Sequence, residues 1–261
     1  MSEQLIASNG SAQAEKVAVV TGGSRGVGLT IVKTLTQMGY TVHTCARKAS
    51  AVEVPALVRL TRLDVTDYHA TEAWINQTLE ETGRIDVLVN NAGVMSAVGN
   101  LVSVDPDEWE AVFRVNVFAV MRLCRRVIPV MAKQGGGCII NLAGGGSAYP
   151  RKNFTAYACS KAAVVRLSDS LAEELKDLGI RVNAIGPGLQ ESEIWRHAAQ
   201  VGETLPSQPW DNPQDLADLI RFVVTTPTVT GKFLHIKDKY RQAALSEFSS
   251  DLWTLRRVNP S

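Results

Sequence analysis

From Lys16 onward, short β-branched runs that are apolar nearly throughout alternate with longer segments whose apolar residues recur at helical spacing. Near-continuous apolarity marks strands covered on both faces, and the alternation marks βαβ units feeding a parallel sheet. The pattern predicts strands over 17–21, 41–46, 58–65, 85–91, 138–143, 181–186 and 232–237. It predicts helices over 26–38, 68–82, 107–133, 155–178, 212–225 and part of 238–247. Asp105-Pro106 and Asp211-Asn212-Pro213 stand where two of these helices begin, each pairing a side-chain acceptor with a proline suited to a first turn. The fold class that results is an α/β doubly wound parallel sheet of about seven strands, with its site at the carboxyl ends of the strands. Residues 16–261 read as one domain and the polar, small residues 1–15 as a mobile tail. Residues 188–211 lack a clean period between a strand and a helix, which suits a lid.

Composition narrows the function classes. A chain of 261 residues with 45 % hydrophobic and 20 % charged residues is ordinary globular material. A net charge of +1 supplies no electrostatic reason to bind nucleic acid or an anionic membrane, which leaves small-molecule chemistry. Cys45, Cys124, Cys138 and Cys159 form no C-x-x-C pair, so neither a metal site nor a disulfide framework is expected. No apolar run has the length of a signal peptide or a membrane helix, and a cytoplasmic location is the default expectation.

The first strand runs into Thr21-Gly22-Gly23-Ser24-Arg25-Gly26-Val27-Gly28 and then a helical stretch. Such glycines let the backbone turn sharply and bring its N–H groups against a pyrophosphate, with the helix dipole favouring the negative charge. Gly22, Ser24, Arg25, Gly26, Val27 and Gly28 are therefore candidate dinucleotide ligands. The second strand ends Cys45-Ala46-Arg47-Lys48, without the carboxylate that would accept bonds from the bare ribose of NAD(H). Arg47 and Arg25 instead suit a 2′-phosphate, so NADP(H) is the expected cofactor.

Tyr157 is the only one of five tyrosines with a lysine, Lys161, four residues later, which puts the two on one helix face. A free phenol ionises near pH 10, too high for an efficient base, and a neighbouring ammonium is expected to lower it. Taken in order, Thr21–Gly28, Asp64-Val65, Asn90-Asn91-Ala92-Gly93, Asn116, Tyr157-x-x-x-Lys161 and Pro187-Gly188 make the chain resemble the short-chain dehydrogenases/reductases over roughly residues 16–237. The resemblance implies a Rossmann-like fold and an NADP(H)-dependent oxidoreductase that interconverts a carbonyl and an alcohol on a small, partly apolar substrate. It gives Asp64 and Val65 to the adenine, Asn91, Ala92 and Gly93 to the adenosine side, and Pro187 and Gly188 to the nicotinamide. By the same resemblance Tyr157 is the acid/base, Lys161 also binds the nicotinamide ribose, Asn116 belongs to a proton relay, and the chain forms a homodimer or homotetramer.

Two departures from that pattern matter. The family's substrate-binding serine falls here on Gly144, and Ser147 is the only serine between Gly144 and Tyr157. Ser147 can replace the missing hydroxyl, glycine N–H groups can serve as donors, or ordinary reductase activity has been lost. The residues after 237 form the second departure, an atypical C-terminal tail over about 238–261. Rival readings are a dehydratase or epimerase on the same scaffold and a non-catalytic NADP-binding protein. Val94, Met95, Tyr149, Phe154, Trp195 and Trp210 are candidates to line an apolar pocket.

Overall fold

Successive side chains of a strand point to opposite faces, so an unbroken apolar run must be covered twice. The chain meets that requirement with helices on both sides of one sheet. Its architecture comes from a computed structural model that describes residues 15–48, 56–191, 209–240, 242 and 254. The strands are β1 (Lys16–Thr21), β2 (Tyr40–Ala46), β3 (Val58–Arg62), β4 (Val87–Asn90), β5 (Gly137–Leu142), β6 (Ile180–Gly186) and β7 (Phe233–His235). All pair in parallel in the order β3-β2-β1-β4-β5-β6-β7.

The helices are α1 (Gly26–Gln37), α2 (Tyr68–Thr82), α3 (Pro106–Phe113), α4 (Ala119–Gln134), α5 (Thr155–Leu175) and α6 (Pro213–Thr225). Ala18, Val20, Val87, Val89, Cys138 and Ile140 point to one side and pack with α1 and α6 through Ile31, Leu35, Leu216 and Ile220. The alternate residues Val19, Leu88 and Ile139 point to the other side and meet Trp74, Ile75, Leu123, Val127 and Met131 of α2 and α4. Each buried Val, Leu or Ile contributes roughly 1.5–3 kcal/mol by leaving water, and this double cover stabilises the sheet.

The expected elements are present with shifted bounds. Strand 58–65 stops at Arg62, because Asp64 and Thr66 close a turn that leads into α2. Strand 85–91 starts at Val87, and strand 232–237 shortens to Phe233–His235. Helix 107–133 is a continuous rod whose middle, Arg114–Phe118, is a π turn. It passes through Pro129, whose cost of about 3 kcal/mol is offset by the buried stripe Val120, Leu123, Cys124, Val127 and Met131. Helix 155–178 ends as α at Leu175 and tightens into a 3-10 turn at Lys176–Leu178. Asp67, Asp105 and Asn212 cap α2, α3 and α6 by accepting from Ala70, Asp107 and Gln214 N–H. Residues 238–240 are not helical, and most of the helix expected over 238–247 lies outside the described residues, as do residues 1–14 of the tail and 192–208 of the lid.

The chain lays β2 and β3 on one side of β1, then crosses to lay β4 on the other. This reversal opens a crevice at the carboxyl ends of β1 and β4, the position where such sheets bind ligands. No described helix is long and apolar enough to cross a membrane.

Candidate active site

The turn after β1 is held from two sides, by the end of β2 and by the segment after β4. Gly22 N–H donates to Cys45 O at 2.8 Å and Gly23 N–H to Thr44 Oγ1 at 3.1 Å. Asn91 Nδ2 donates to Thr21 O and Gly22 O at 2.8 and 3.0 Å, while Thr21 Oγ1 accepts from Asn91 and Ala92 N–H, both at 3.0 Å. Gly28 is required sterically, since a Cβ there would lie 2.1 Å from Gly22 O. Gly22 has φ +71° and Gly26 φ +53°, conformations costly to any other residue. The α1 N-terminus that follows has no side-chain cap hydrogen bond and no acidic residue in its first turn. Its amides and positive dipole end therefore suit an anion such as a pyrophosphate.

Exposed Arg25 leads into α1, and exposed Arg47 and Lys48 follow β2. The register that pairs Thr21 with Cys45 sets these two loops side by side. Exposed Arg62 ends β3, next in the sheet. Asp64 is exposed, with Oδ1 accepting from Thr66 N–H and Oγ1, while Val65 packs against the core. Ser24 and Val27 are half-buried. Across the crevice, Gly188 has φ +73°, and Asp211 holds its loop by accepting from Leu189 N–H at 2.7 Å. Burial raises the Asp211 carboxyl, but Leu189 N–H, Lys237 at 3.0 Å and the nearby His235 outweigh it and keep the group below its usual range. Gln190 Nε2 donates to Pro187 O, which completes the turn. A dinucleotide fits this collection of donors, glycines and cations.

The second half of the site rests on α5. Tyr157 is half-buried and Lys161 is 4 % exposed. Lys161 Nζ lies 5.7 Å from the centre of the Tyr157 ring and donates to Leu142 O at 2.7 Å. Burial pulls the Lys161 ammonium from 10.5 down to about 8. Burial also pushes the Tyr157 phenol up, and the cation that draws it back is Arg151. The expectation that Lys161 brings the phenol down is corrected on that point: desolvation dominates, so the phenol holds its proton in this state.

Asn116 lies in the π turn, fully buried. Its Oδ1 accepts from Val94 N–H at 2.9 Å, and its Nδ2 donates to Val94 O and Ser160 Oγ, both at 3.0 Å. Ser160 Oγ donates in turn to Tyr157 O at 2.7 Å. The amide thus ties the loop after β4 to the helix that carries Tyr157. Gly93 sits against the same groups, for a Cβ there would lie 3.3 Å from Asn116 Oδ1 and 3.4 Å from Lys161 Nζ.

Gly144 has φ +157°, and a Cβ built on it would lie 3.4 Å from Tyr157 Oη. The backbone thus sets position 144 beside the phenol with no side chain between them. Ser147 closes the 3-10 turn Gly145–Ser147 by donating its N–H to Gly144 O at 2.9 Å. Its Oγ is buried and has no hydrogen-bond partner.

A family profile described as short chain dehydrogenase matches residues 16–201. The chain belongs to that family. A 3alpha-hydroxysteroid dehydrogenase of Mediterraneibacter gnavus is 33 % identical, over 85 % of this chain and 95 % of its own length. The 3-oxoacyl-acyl-carrier-protein reductase of Vibrio harveyi is 30 % identical over the same shares. Among solved structures, a gluconate 5-dehydrogenase of Burkholderia cenocepacia in complex with NADP and tartrate superposes with a TM-score of 0.77 at 27 % identity, covering 89 % of this chain and 97 % of its own.

Of the residues expected to line this short-chain dehydrogenase's substrate pocket, Met95 and Phe154 pack with Tyr157 and Val98. Val94 packs into a neighbouring cluster, Trp210 is 41 % exposed, and Trp195 lies outside the described residues. Sequence reasoning missed Arg151, Ser160 and the Leu142 carbonyl. A loop arginine and a helical serine carry no spacing signal, and a backbone acceptor carries no sequence signal at all.

Proposed function

We propose that the protein is an NADP(H)-dependent carbonyl reductase, working reversibly on a small, partly apolar ketone, aldehyde or the corresponding alcohol. The observation that carries this reading is half-buried Tyr157 on one helix face with buried Lys161, with position 144 placing no side chain against the phenol, at the carboxyl end of the sheet. The cofactor would lie along Gly22, Ser24, Arg25, Gly26, Val27 and Gly28, with Arg47 and Arg25 on its 2′-phosphate, and Asp64, Val65, Asn91, Ala92 and Gly93 on the adenosine side. Pro187 and Gly188 would flank its reactive ring, and Lys161 would reach its ribose. When bound, the nicotinamide supplies or takes up the hydride.

The protein supplies position and the proton. In the reducing direction Tyr157 Oη donates its proton to the substrate oxygen as the carbonyl carbon becomes saturated. Burial supports that role, because it keeps the phenol protonated until the substrate demands the proton. The Lys161 ammonium then stabilises the phenolate left behind, and Leu142 O holds the ammonium in place. Asn116 fixes the Val94 backbone and, through Ser160, the start of α5, which sets where the phenol stands. Ser147 Oγ, buried without a partner, is the side-chain donor available to a substrate oxygen on this loop.

A dimer fits the same reading. Phe118, at the end of the π turn, and Met121 of α4 are 48 % and 39 % exposed one helical turn apart, an apolar face suited to a second copy.

The test is oxidation of NADPH against a panel of ketones and aldehydes. Parent protein should turn over with NADPH and less well with NADH. Tyr157→Phe should lose turnover by a factor on the order of 10²–10⁴ with NADPH binding unchanged. Most of the activity surviving in Tyr157→Phe would refute the role of the phenol.

A further inference from the structure

Beside the phenol, residues 149–154 form an open groove of about 400 Å³ lined by Tyr149, Pro150, Arg151, Lys152 and Phe154. These five residues carry two cations and no carboxylate. The groove adjoins the site, because Phe154 in its lining packs with Met95 and Tyr157, and Gly99 N–H donates to Asn153 O at 2.8 Å, which ties the loop after β4 to this one. A second feature of the same place points the same way. The α5 helix starts at Thr155 directly after Phe154, and it has neither a side-chain cap hydrogen bond nor an acidic residue in its first turn. The positive end of a 21-residue helix therefore opens beside the groove. Tyr149 is 73 % exposed at the rim.

We infer that this groove selects substrates bearing an anionic group, a carboxylate or phosphate, at the end remote from the reacting carbonyl. Arg151 and Lys152 would hold the anion, the α5 amides would add their dipole, and Tyr149 and Phe154 would pack along the apolar part between the two ends. The inference rests on the reductase reading above and extends it to a substrate class. Arg151 also acts electrostatically on Tyr157, drawing the phenol down against burial. An anion bound at Arg151 would offset that pull and help keep the phenol protonated, which favours the acid needed for reduction.

The test pairs 4-acetylbenzoate with its methyl ester, molecules of one skeleton and one ketone that differ in a single charge. Parent protein with NADPH should prefer the acid by roughly ten-fold in kcat/KM, the size expected of two partly exposed charge contacts. Lys152→Gln should raise KM for the acid several-fold with little change for the ester. Arg151→Gln should raise KM for the acid several-fold more than for the ester, on top of any change in kcat that the two substrates share through Tyr157. The double variant should abolish the preference. Added salt should reduce the preference in the parent alone. Binding of 4-acetylbenzoate, followed by saturation-transfer NMR on parent and double variant, separates the two layers of the argument. Binding that depends on Arg151 and Lys152 without turnover would uphold the groove and refute the reductase. Turnover of acid and ester at equal kcat/KM in the parent, or equal losses for both in the variants, would overturn the groove and leave the reductase standing. Binding unaffected by the double variant would also overturn it.

Discussion

Lys161→Met should make the protein more stable at neutral pH while removing its activity. The Lys161 side chain is 4 % exposed, and burial lowers its ammonium from 10.5 to about 8. A drop of that size means roughly 3 kcal/mol of folding free energy set against the charge. Methionine fills similar space without charge, but it leaves Leu142 O without the donor that stands 2.7 Å away, a loss of about 1–3 kcal/mol. The net expectation at pH 7 is a gain of up to about 2 kcal/mol, or a rise of up to roughly 8 °C in Tm. The pH dependence gives an independent reading. Between pH 8 and 10.5 the folded lysine has lost its proton while the unfolded one keeps it, so parent stability should rise with pH in that window. Cys45 and Cys124, both pushed up to about 12 by burial, act oppositely above pH 9, where only the unfolded thiols ionise. Urea unfolding of parent and variant without cofactor at pH 7, 8 and 9 isolates the lysine, since the thiols are common to both. The parent's deficit should shrink as pH rises. A variant less stable than the parent at pH 7, or a difference that stays constant from pH 7 to 9, would refute the reasoning.

Two further outcomes are expected. Arg47→Asp should invert the preference between NADPH and NADH in binding titrations, because a carboxylate repels the 2′-phosphate and accepts bonds from bare ribose hydroxyls; an unchanged order would remove Arg47 from the site. Ser147→Ala should lower kcat/KM by a factor on the order of 10²–10³ if its unpartnered hydroxyl meets the substrate oxygen, and a silent substitution would pass that work to the loop's N–H groups.

The sheet was legible because its requirements are local and repeated. Residues such as Val17–Val20 and Ile139–Ile140 must be covered on both faces, and that shows as unbroken apolarity. Gly22 and Gly28 were legible for a related reason, since a positive φ and a contact of 2.1 Å tolerate no other residue. The Tyr157–Lys161 pair was legible from helical spacing, yet its electrostatics were not. Spacing shows that two groups share a face; it says nothing of how much water is lost there. Desolvation in the folded state decides both titrations, and it depends on residues as distant in sequence as Leu142 and Met95. Asn116 shows the same limit. Its position in a helix marked it as a residue with a task, but its partners at Val94 and Ser160 come from two other elements.

The deviation at Gly144 is best understood together with Gly93. Each is a place where the site is defined by a missing side chain: a Cβ on Gly93 would press on Asn116 and Lys161, and one on Gly144 would lie against the phenol oxygen. The φ of +157° at Gly144 shows that the loop is built around glycine, so a serine restored there would carry backbone strain of about 1–3 kcal/mol. A simple loss of hydroxyl would need no such backbone. The loop has instead turned its chain to keep space beside Tyr157 Oη, and it has left Ser147 Oγ buried without a partner three residues on. On the reductase reading proposed above, the space at the phenol and the donor set back from it would let Ser147, rather than a side chain at position 144, meet the substrate oxygen.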